Sequence, residues 1–101
     1  MKKEKYNVAV VGATGAVGEQ MREVLEEREF PVHEFRLLAS ERSAGQFLPF
    51  HGRQIRVEIL HENSFDGIDI ALFSAGASVS AKFAPIAVAA GAVLCEAARV
   101  R

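Results

Sequence analysis

Apolar residues occur along this chain in short runs separated by polar segments, and the spacing within each run predicts the element that it forms. The first run, within Asn7 to Val11, has the length and composition of a strand buried in a parallel sheet. From Val17 to about Arg28, apolar positions recur at helical spacing with Glu and Arg between them. The segment Phe30-Pro31-Val32 ends this helix, because the residue before a proline is pushed out of the helical region.

The rest of the chain continues the alternation of strand and helix. Further strands are predicted over Phe35 to Ala39, Ile68 to Phe73 and Ala92 to Cys95. An alanine-rich helix is predicted over Ser80 to Ala90, where Gly91 stops it. Strands that alternate with helices in this way indicate parallel strands joined by helical crossovers.

A predicted hairpin interrupts the alternation after a polar loop from Ser40 to Gln46. Its arms are Phe47 to Phe50 and Gln54 to Leu60, joined by His51-Gly52-Arg53. Pro49 places the first arm at a sheet edge, because proline donates no ladder hydrogen bond. The fold class expected is α/β: a Rossmann-like, doubly wound, mostly parallel sheet with an inserted β-hairpin.

Composition narrows the range of partners. The chain has 101 residues, half of them apolar, which suits one small domain. A formal net charge of −1, with acids and bases interspersed, favours neither nucleic acid nor an anionic membrane. The apolar runs are of strand length and the charged start, Met1 to Lys5, has no signal-peptide pattern, so we expect a cytoplasmic protein that does not enter a membrane.

Neither a metal site nor a catalytic residue is predicted. Cys95 is the single cysteine, which excludes an internal disulfide and a multi-cysteine metal site. Because it lies in a predicted buried strand, it is interpreted as a packed core thiol. His33, His51 and His61 fall in or beside loops without a partner at a catalytic spacing, so they are expected at the surface.

Three spaced glycines follow the first strand directly. Gly12 allows a sharp turn off the strand, Gly15 allows the backbone to approach a phosphate, and Gly18 allows the helix to pack close to the sheet. The unpaired amides and the dipole of a helix N-terminus favour negative charge, so the loop needs no basic side chain. A glycine-rich turn without a ligand is the alternative. The residues predicted to bind a dinucleotide pyrophosphate are Gly12, Ala13, Thr14, Gly15, Ala16, Val17 and Gly18.

The loop after the second strand distinguishes NADP from NAD. An NAD site has a carboxylate there for the ribose hydroxyl, whereas an NADP site has a cation and hydroxyl donors for the extra phosphate. Arg42 can hold that phosphate through its planar fork, with Ser40 and Ser43 donating beside it, which favours NADP. Glu41 competes, because turned inward it would repel the phosphate and could bind a ribose instead. A solvated surface pair of Arg42 with Glu41 is a further alternative.

A second turn of small residues follows the strand that ends at Phe73. It leaves room for backbone to line the ribose and nicotinamide end of a cofactor, which adds Ser74, Ala75 and Gly76 to the predicted site. Helix capping by Ser78 or Ser80 would alone explain the serines in this region.

The chain resembles aspartate-semialdehyde dehydrogenase through separated blocks that occur in the right order and cover nearly its whole length. The blocks are Val8 to Gly18, Val24 to Arg28, Phe30 to Val32, Leu37 to Gly45, Ile70 to Gly76 and Ala90 to Val93. The resemblance implies an oxidoreductase that uses NADPH for the reductive dephosphorylation of aspartyl phosphate to aspartate semialdehyde. That reaction, which passes through a cysteine thioester, lies on the route to lysine, threonine and methionine. The resemblance further implies a homodimer or tetramer.

The family's catalytic cysteine, acid-base histidine and substrate arginine lie after its nucleotide-binding half, beyond where this chain stops. Where the family continues into an Asp-Asn-Ser-Ser-Ala-Phe-Arg type segment, this chain has Glu96 to Arg101, and neither Arg99 nor Arg101 aligns with the family's arginine. We therefore expect residues 1–101 to form an NADP-binding domain without a catalytic and dimerisation domain. Such a truncated half of a larger enzyme is expected to be inactive alone.

Two other classes of function stay open. One is a non-catalytic NADP-binding or assembly module that senses cofactor or pairs with a separate catalytic chain. The other is an atypical short-chain reductase, although its Tyr-x-x-x-Lys pair is absent, because Tyr6 is the only tyrosine and Val10 takes the place of the lysine. Half a Rossmann fold leaves apolar sheet and helix surface uncovered, which predicts self-association or a homo-oligomer.

Overall fold

A computed structural model describes residues 4–74 and 76–96 of the chain. The helices and strands, in chain order, are β1 (Tyr6–Val11), α1 (Ala16–Glu27), β2 (Val32–Ala39), β3 (Phe47–Phe50), β4 (Arg53–Ile59), β5 (Ile70–Phe73), α2 (Ala77–Ala89) and β6 (Val93–Glu96). No helix within the described ranges is long and apolar enough to cross a membrane.

The strands form one sheet in the order β3-β4-β2-β1-β5-β6. All neighbours pair in parallel except β3 and β4, which form the antiparallel hairpin. The predicted Rossmann-like sheet with its inserted hairpin is therefore confirmed, and Pro49 lies on the edge strand, as expected. Because β1 lies between β2 and β5, the chain reverses its direction of winding at β1. The carboxyl ends of these strands meet at that switch point, where ligands bind in open α/β sheets.

Each face of the sheet has its own core, and β1 contributes to both. Val8 and Val10 point to the face covered by α1, whereas Ala9 and Val11 point to the face covered by α2. The main buried residues on the α1 side are Met21, Phe35, Leu37, Phe50 and Val57. Those on the α2 side are Leu38, Phe65, Ile68, Phe73 and Ala87. The continuous apolar run of β1 thus reflects burial on both faces.

A buried arginine of helix α1 forms a hydrogen bond to the hairpin. The Arg22 side chain is only 7% exposed, and its guanidinium donates to the Pro49 carbonyl oxygen at 3.0 Å. Its Nε has no hydrogen-bond partner in the described part of the chain. Met21 is buried beside it, whereas Val17 and Val24, which belong to the predicted apolar pattern, remain more than a third exposed. The buried face of α1 is therefore rotated relative to that pattern.

Two boundaries differ from the sequence predictions by three residues, and the others differ by at most two. Strand β2 begins at Val32 rather than Phe35, because Val32 already pairs with Tyr6 of β1. Helix α2 begins at Ala77 rather than Ser80, with Gly76 in an extended conformation as its N-cap. Ser78 and Ser80 therefore lie inside the helix, and their interpretation as caps is wrong.

The interpretation of Cys95 as a core thiol is also wrong. Cys95 lies in β6, as predicted, but its side chain is exposed. Strand β6 pairs only with β5 among the described residues, and its Val93 is 52% exposed. A thiol on an edge strand faces solvent wherever no further element covers that face.

Candidate functional site

The turn after β1 is held against β2 by its own amides. Gly12 has a φ of +84°, in the left-handed region that glycine tolerates without strain. The amides of Gly12 and Ala13 both donate to the Leu38 carbonyl oxygen, at 2.9 and 3.1 Å. The Ala13 side chain is buried in the core. These two residues of the predicted phosphate loop therefore anchor it, while Thr14 is exposed at its tip.

Gly18 lies where helix α1 touches this turn. A Cβ built at Gly18 would lie 2.9 Å from both the Cα and the carbonyl oxygen of Ala13, and it would overlap the Gly12 carbonyl oxygen. A side chain at this position requires the helix to move away from the turn. The close approach predicted from the sequence is thus present.

Gly15 has a different environment, since the protein itself leaves room for a side chain there. A Cβ at Gly15 would meet only the Gly12 carbonyl oxygen, at an ordinary contact distance of 3.6 Å. Gly15 is also the N-cap of α1, and no side chain caps the helix. The first-turn amides of Ala16, Val17 and Gly18 have no intrahelical acceptors, so they are free to donate to an anion.

Ser74 joins the ends of the two central strands. Its hydroxyl lies 2.7 Å from the Val11 carbonyl oxygen and 3.0 Å from that of Gly12, and its amide donates to Val11 at 2.9 Å. The hydroxyl therefore contacts the backbone of the predicted phosphate loop, and no local pattern in the sequence predicts this contact. Gly76 is exposed at the start of α2, which has no side-chain cap. Ala75, also predicted in the site, lies outside the described residues.

A cleft of about 490 Å³ lies over the carboxyl ends of β1 and β2. Of the predicted site residues, it brings together Gly12, Thr14, Ser40 and Ser43. Six lining residues were not among the predicted site residues: Val11 and Ala39 at the ends of β1 and β2, Leu60 after β4, and Val79, Lys82 and Phe83 of α2. Helical periodicity predicts that α2 packs on the sheet, but it does not predict which residues of α2 line the cleft beside the loop after β2.

Arg42 and Glu41 lie on that loop, outside the lining of this cleft. Both are exposed, and they form no ion pair with each other in the structure. Glu41 instead lines a separate cleft with Arg56 and Glu58. The loop is closed by the Ser40 carbonyl oxygen, which accepts from the amides of Ser43 and Ala44 at 3.0 Å each. The carboxylate that could compete with a phosphate thus faces a different part of the surface.

Comparison with known proteins identifies the family to which the chain is similar. A family profile described as "Semialdehyde dehydrogenase, NAD binding domain" matches residues 7–100. Aspartate-semialdehyde dehydrogenase 2 of Vibrio cholerae is 56% identical over 93 residues, which make up 92% of this chain and 28% of that protein. The chain therefore spans little more than a quarter of the length of this relative.

Solved structures are similar over the same region. The crystal structure of aspartate semialdehyde dehydrogenase II of Vibrio cholerae complexed with ASA matches with a TM-score of 0.88 and 56% identity, covering 91% of this chain and 30% of that one. The structure of aspartate semialdehyde dehydrogenase with NADP from Candida albicans matches with a TM-score of 0.74 and 27% identity, covering 91% and 29%.

Proposed function

The chain belongs to the family of the semialdehyde dehydrogenase NAD-binding domain, and on that premise we propose that it is the NADP-binding domain of an aspartate-semialdehyde dehydrogenase. The observation that carries the proposal is one cleft at the switch point of the sheet, lined by the phosphate-loop residues Gly12 and Thr14 together with Ser40 and Ser43. Dinucleotides bind across this crevice in doubly wound folds.

The residues present fit a pyrophosphate. The protein leaves open space beside Gly15. The N-terminus of α1 has no side-chain cap, and its amides at Ala16 to Gly18 point toward that space. Gly12 and Ala13 hold the turn to β2, and Ser74 holds it to β5. We propose that the nicotinamide end of the cofactor is lined by Gly76, at the N-terminus of α2, and by Ala75, which precedes it in the sequence.

The proposed cofactor is NADP rather than NAD. The cleft offers the hydroxyls of Ser40 and Ser43 at the end of β2 and no carboxylate, since Glu41 lines a different cleft. Hydroxyl donors without a carboxylate suit a ribose that bears a 2′-phosphate. Arg42, exposed on the same loop, is proposed to close over that phosphate. The Candida albicans relative, whose structure holds NADP, supports the same choice.

The proposed reaction of the whole enzyme is the reductive dephosphorylation of aspartyl phosphate to aspartate semialdehyde, for amino-acid biosynthesis. NADPH, when bound, supplies the hydride for such a reduction. The residues of this chain bind and orient that cofactor, and we assign no catalytic residue among residues 4–74 and 76–96. A reducing cytoplasm is the proposed setting, which suits an exposed free thiol at Cys95.

Calorimetric titration of the chain with NADP and then with NAD tests the proposal. We expect both to bind, with NADP the tighter ligand, and Arg42→Ala to weaken NADP selectively. Arg28→Ala, at the far end of α1, is the matched control and is expected to bind as the wild type does. Absence of binding by a folded sample, or tighter binding of NAD, would overturn the proposed cofactor role.

A further inference from the structure

Lys82 is the charged side chain at the proposed NADP cleft. It lies in α2, and the other residues that line the cleft are apolar side chains, glycine or hydroxyl residues. We infer that the Lys82 ammonium binds the ribose 2′-phosphate of NADP and, together with Arg42, contributes to the preference for NADP over NAD. The inference rests on the proposed function and adds to it a residue that neither the glycine motif nor the loop after β2 contains.

Two of the elements that line the cleft carry different chemistry. The loop after β2 contributes Ser40 and Ser43, which offer hydroxyl groups. In doubly wound folds the adenosine ribose lies at this strand end, so its 2′-oxygen is directed toward these serines. Helix α2 contributes Val79, Lys82 and Phe83 to the same cleft. A phosphate on that oxygen therefore enters a cleft that offers neutral donors from the loop and the Lys82 ammonium from the helix.

A cation is needed there because the serines carry no charge. A phosphate monoester carries a charge of about −1.5 to −2 at pH 7, and charged hydrogen bonds to it are roughly twice as strong as neutral ones. Arg42 is the other cation nearby, but it does not line the cleft. Lys82, on helix α2, lines the cleft and supplies a positive charge there.

The Lys82 ammonium is available for this role. It forms no ion pair with a carboxylate in the part of the chain that the structure describes. Glu62 shares a smaller neighbouring cleft with Lys82, yet the two side chains are not paired. The Nζ atom lies 5.2 Å from the centre of the Phe83 ring, which keeps the charge near the cleft wall. The flexible stem of lysine allows the ammonium to turn toward a phosphate.

The test compares ligands that differ only in this phosphate. NADP and NAD, and the smaller adenosine 2′,5′-bisphosphate and AMP, are titrated into the wild type, Lys82→Ala and Lys82→Arg. Lys5→Ala, just before β1, is the matched control. We expect Lys82→Ala to weaken both 2′-phosphorylated ligands by about 5- to 10-fold. NAD and AMP should be unaffected, and Lys82→Arg should restore most of the difference.

Ionic strength gives a second readout. The preference of the wild type for the phosphorylated ligands should fall with added salt, and this dependence should be weaker in Lys82→Ala. If wild type and Lys82→Ala show the same ratio of NADP to NAD affinity, the inference about Lys82 is wrong while the proposed function stands. If the folded wild type binds none of these ligands, the proposed function fails and the inference with it.

Discussion

The Ser74 hydroxyl lies 3.0 Å from the Gly12 carbonyl oxygen, so the residue after β5 holds the turn that follows β1. The two strands are adjacent in the sheet but distant in the sequence. Because the Gly12 carbonyl oxygen also accepts from the Gly15 amide at 3.2 Å, Ser74 supports the glycine turn proposed to bind phosphate. The shape of that turn therefore depends on a hydroxyl outside the glycine motif.

Replacing Ser74 tests this support. Ser74→Ala removes the hydroxyl from the Val11 and Gly12 carbonyl oxygens, and we expect a loss of about 1 kcal/mol in the free energy of unfolding. NADP affinity should fall at the same time, because the turn is held less firmly. Urea unfolding and calorimetry measure the two effects. Ser78→Ala, at an exposed position in α2, is the control; equal behaviour of the two variants would contradict the role of Ser74.

Alanine substitutions at Gly15 and Gly18 are predicted to have different effects: the first on NADP affinity and the second on the free energy of unfolding. Gly18→Ala places its Cβ against the backbone of Ala13, so it should lower the free energy of unfolding by about 1 to 3 kcal/mol. Gly15→Ala meets no close contact within the protein and should change stability by less than about 1 kcal/mol. Its methyl group occupies the space proposed for phosphate, so NADP affinity should fall by at least about tenfold.

Denaturant unfolding and nucleotide titration of both glycine variants separate these effects. A stable Gly15→Ala protein that binds NADP as tightly as the wild type would contradict the assignment of that space to the pyrophosphate. An unchanged stability of Gly18→Ala would contradict the close approach of α1 to the turn.

Arg22 is expected to contribute through its stem more than through its charge. Arg22→Ala removes buried aliphatic carbons and the hydrogen bond to Pro49, and it should cost about 1 to 3 kcal/mol of stability. Arg22→Met keeps an apolar stem and removes a buried Nε that has no partner among the described residues, so it should be the more stable variant. Thermal unfolding of the two proteins gives the order, and an Arg22→Met protein no more stable than Arg22→Ala would contradict the contribution of the stem.

Cys95 should react with a thiol reagent in the folded protein. Its side chain is exposed on the edge strand β6, so an aromatic disulfide reagent is expected to label it without denaturant, within about tenfold of the rate in the unfolded chain. The rates in buffer and in denaturant are followed by absorbance. Protection by orders of magnitude would mean that another surface covers this strand.

Self-association is expected from the apolar side chains that remain in solvent. Phe47 is 58% exposed, Val88 54% and Val93 52%. Because unpaired edge strands and exposed apolar groups favour association, sedimentation should show a dimer or larger species that grows with concentration. Val93→Lys should weaken association if β6 contributes, with Val24→Lys on α1 as the control. A strictly monomeric profile at high concentration would contradict the expected self-association.

Local patterns in the sequence predict the sheet, both helices and the hairpin, because each depends on residues close together along the chain. Glycine tolerates positive φ and has no Cβ, which predicts the turn at Gly12 and the tight packing at Gly18. Proline cannot donate a ladder hydrogen bond, which predicts the edge position of Pro49. The N-cap of α2 was missed because Gly76 carries no side-chain capping signal. The exposure of Cys95 and the position of Lys82 at the cleft depend on which distant elements become neighbours, which periodicity does not reveal.

The most direct test of the central claim is nuclear magnetic resonance of the isotope-labelled chain during titration with NADP. We predict that the largest shifts of backbone amides occur at Ala16, Val17 and Gly18 and at Ser40 and Ser43, with smaller changes along the α2 face near Lys82. This pattern would place the cofactor on the glycine turn and in the cleft beside β2. Shifts confined to the hairpin or to β6, or none at saturating NADP, would contradict the account.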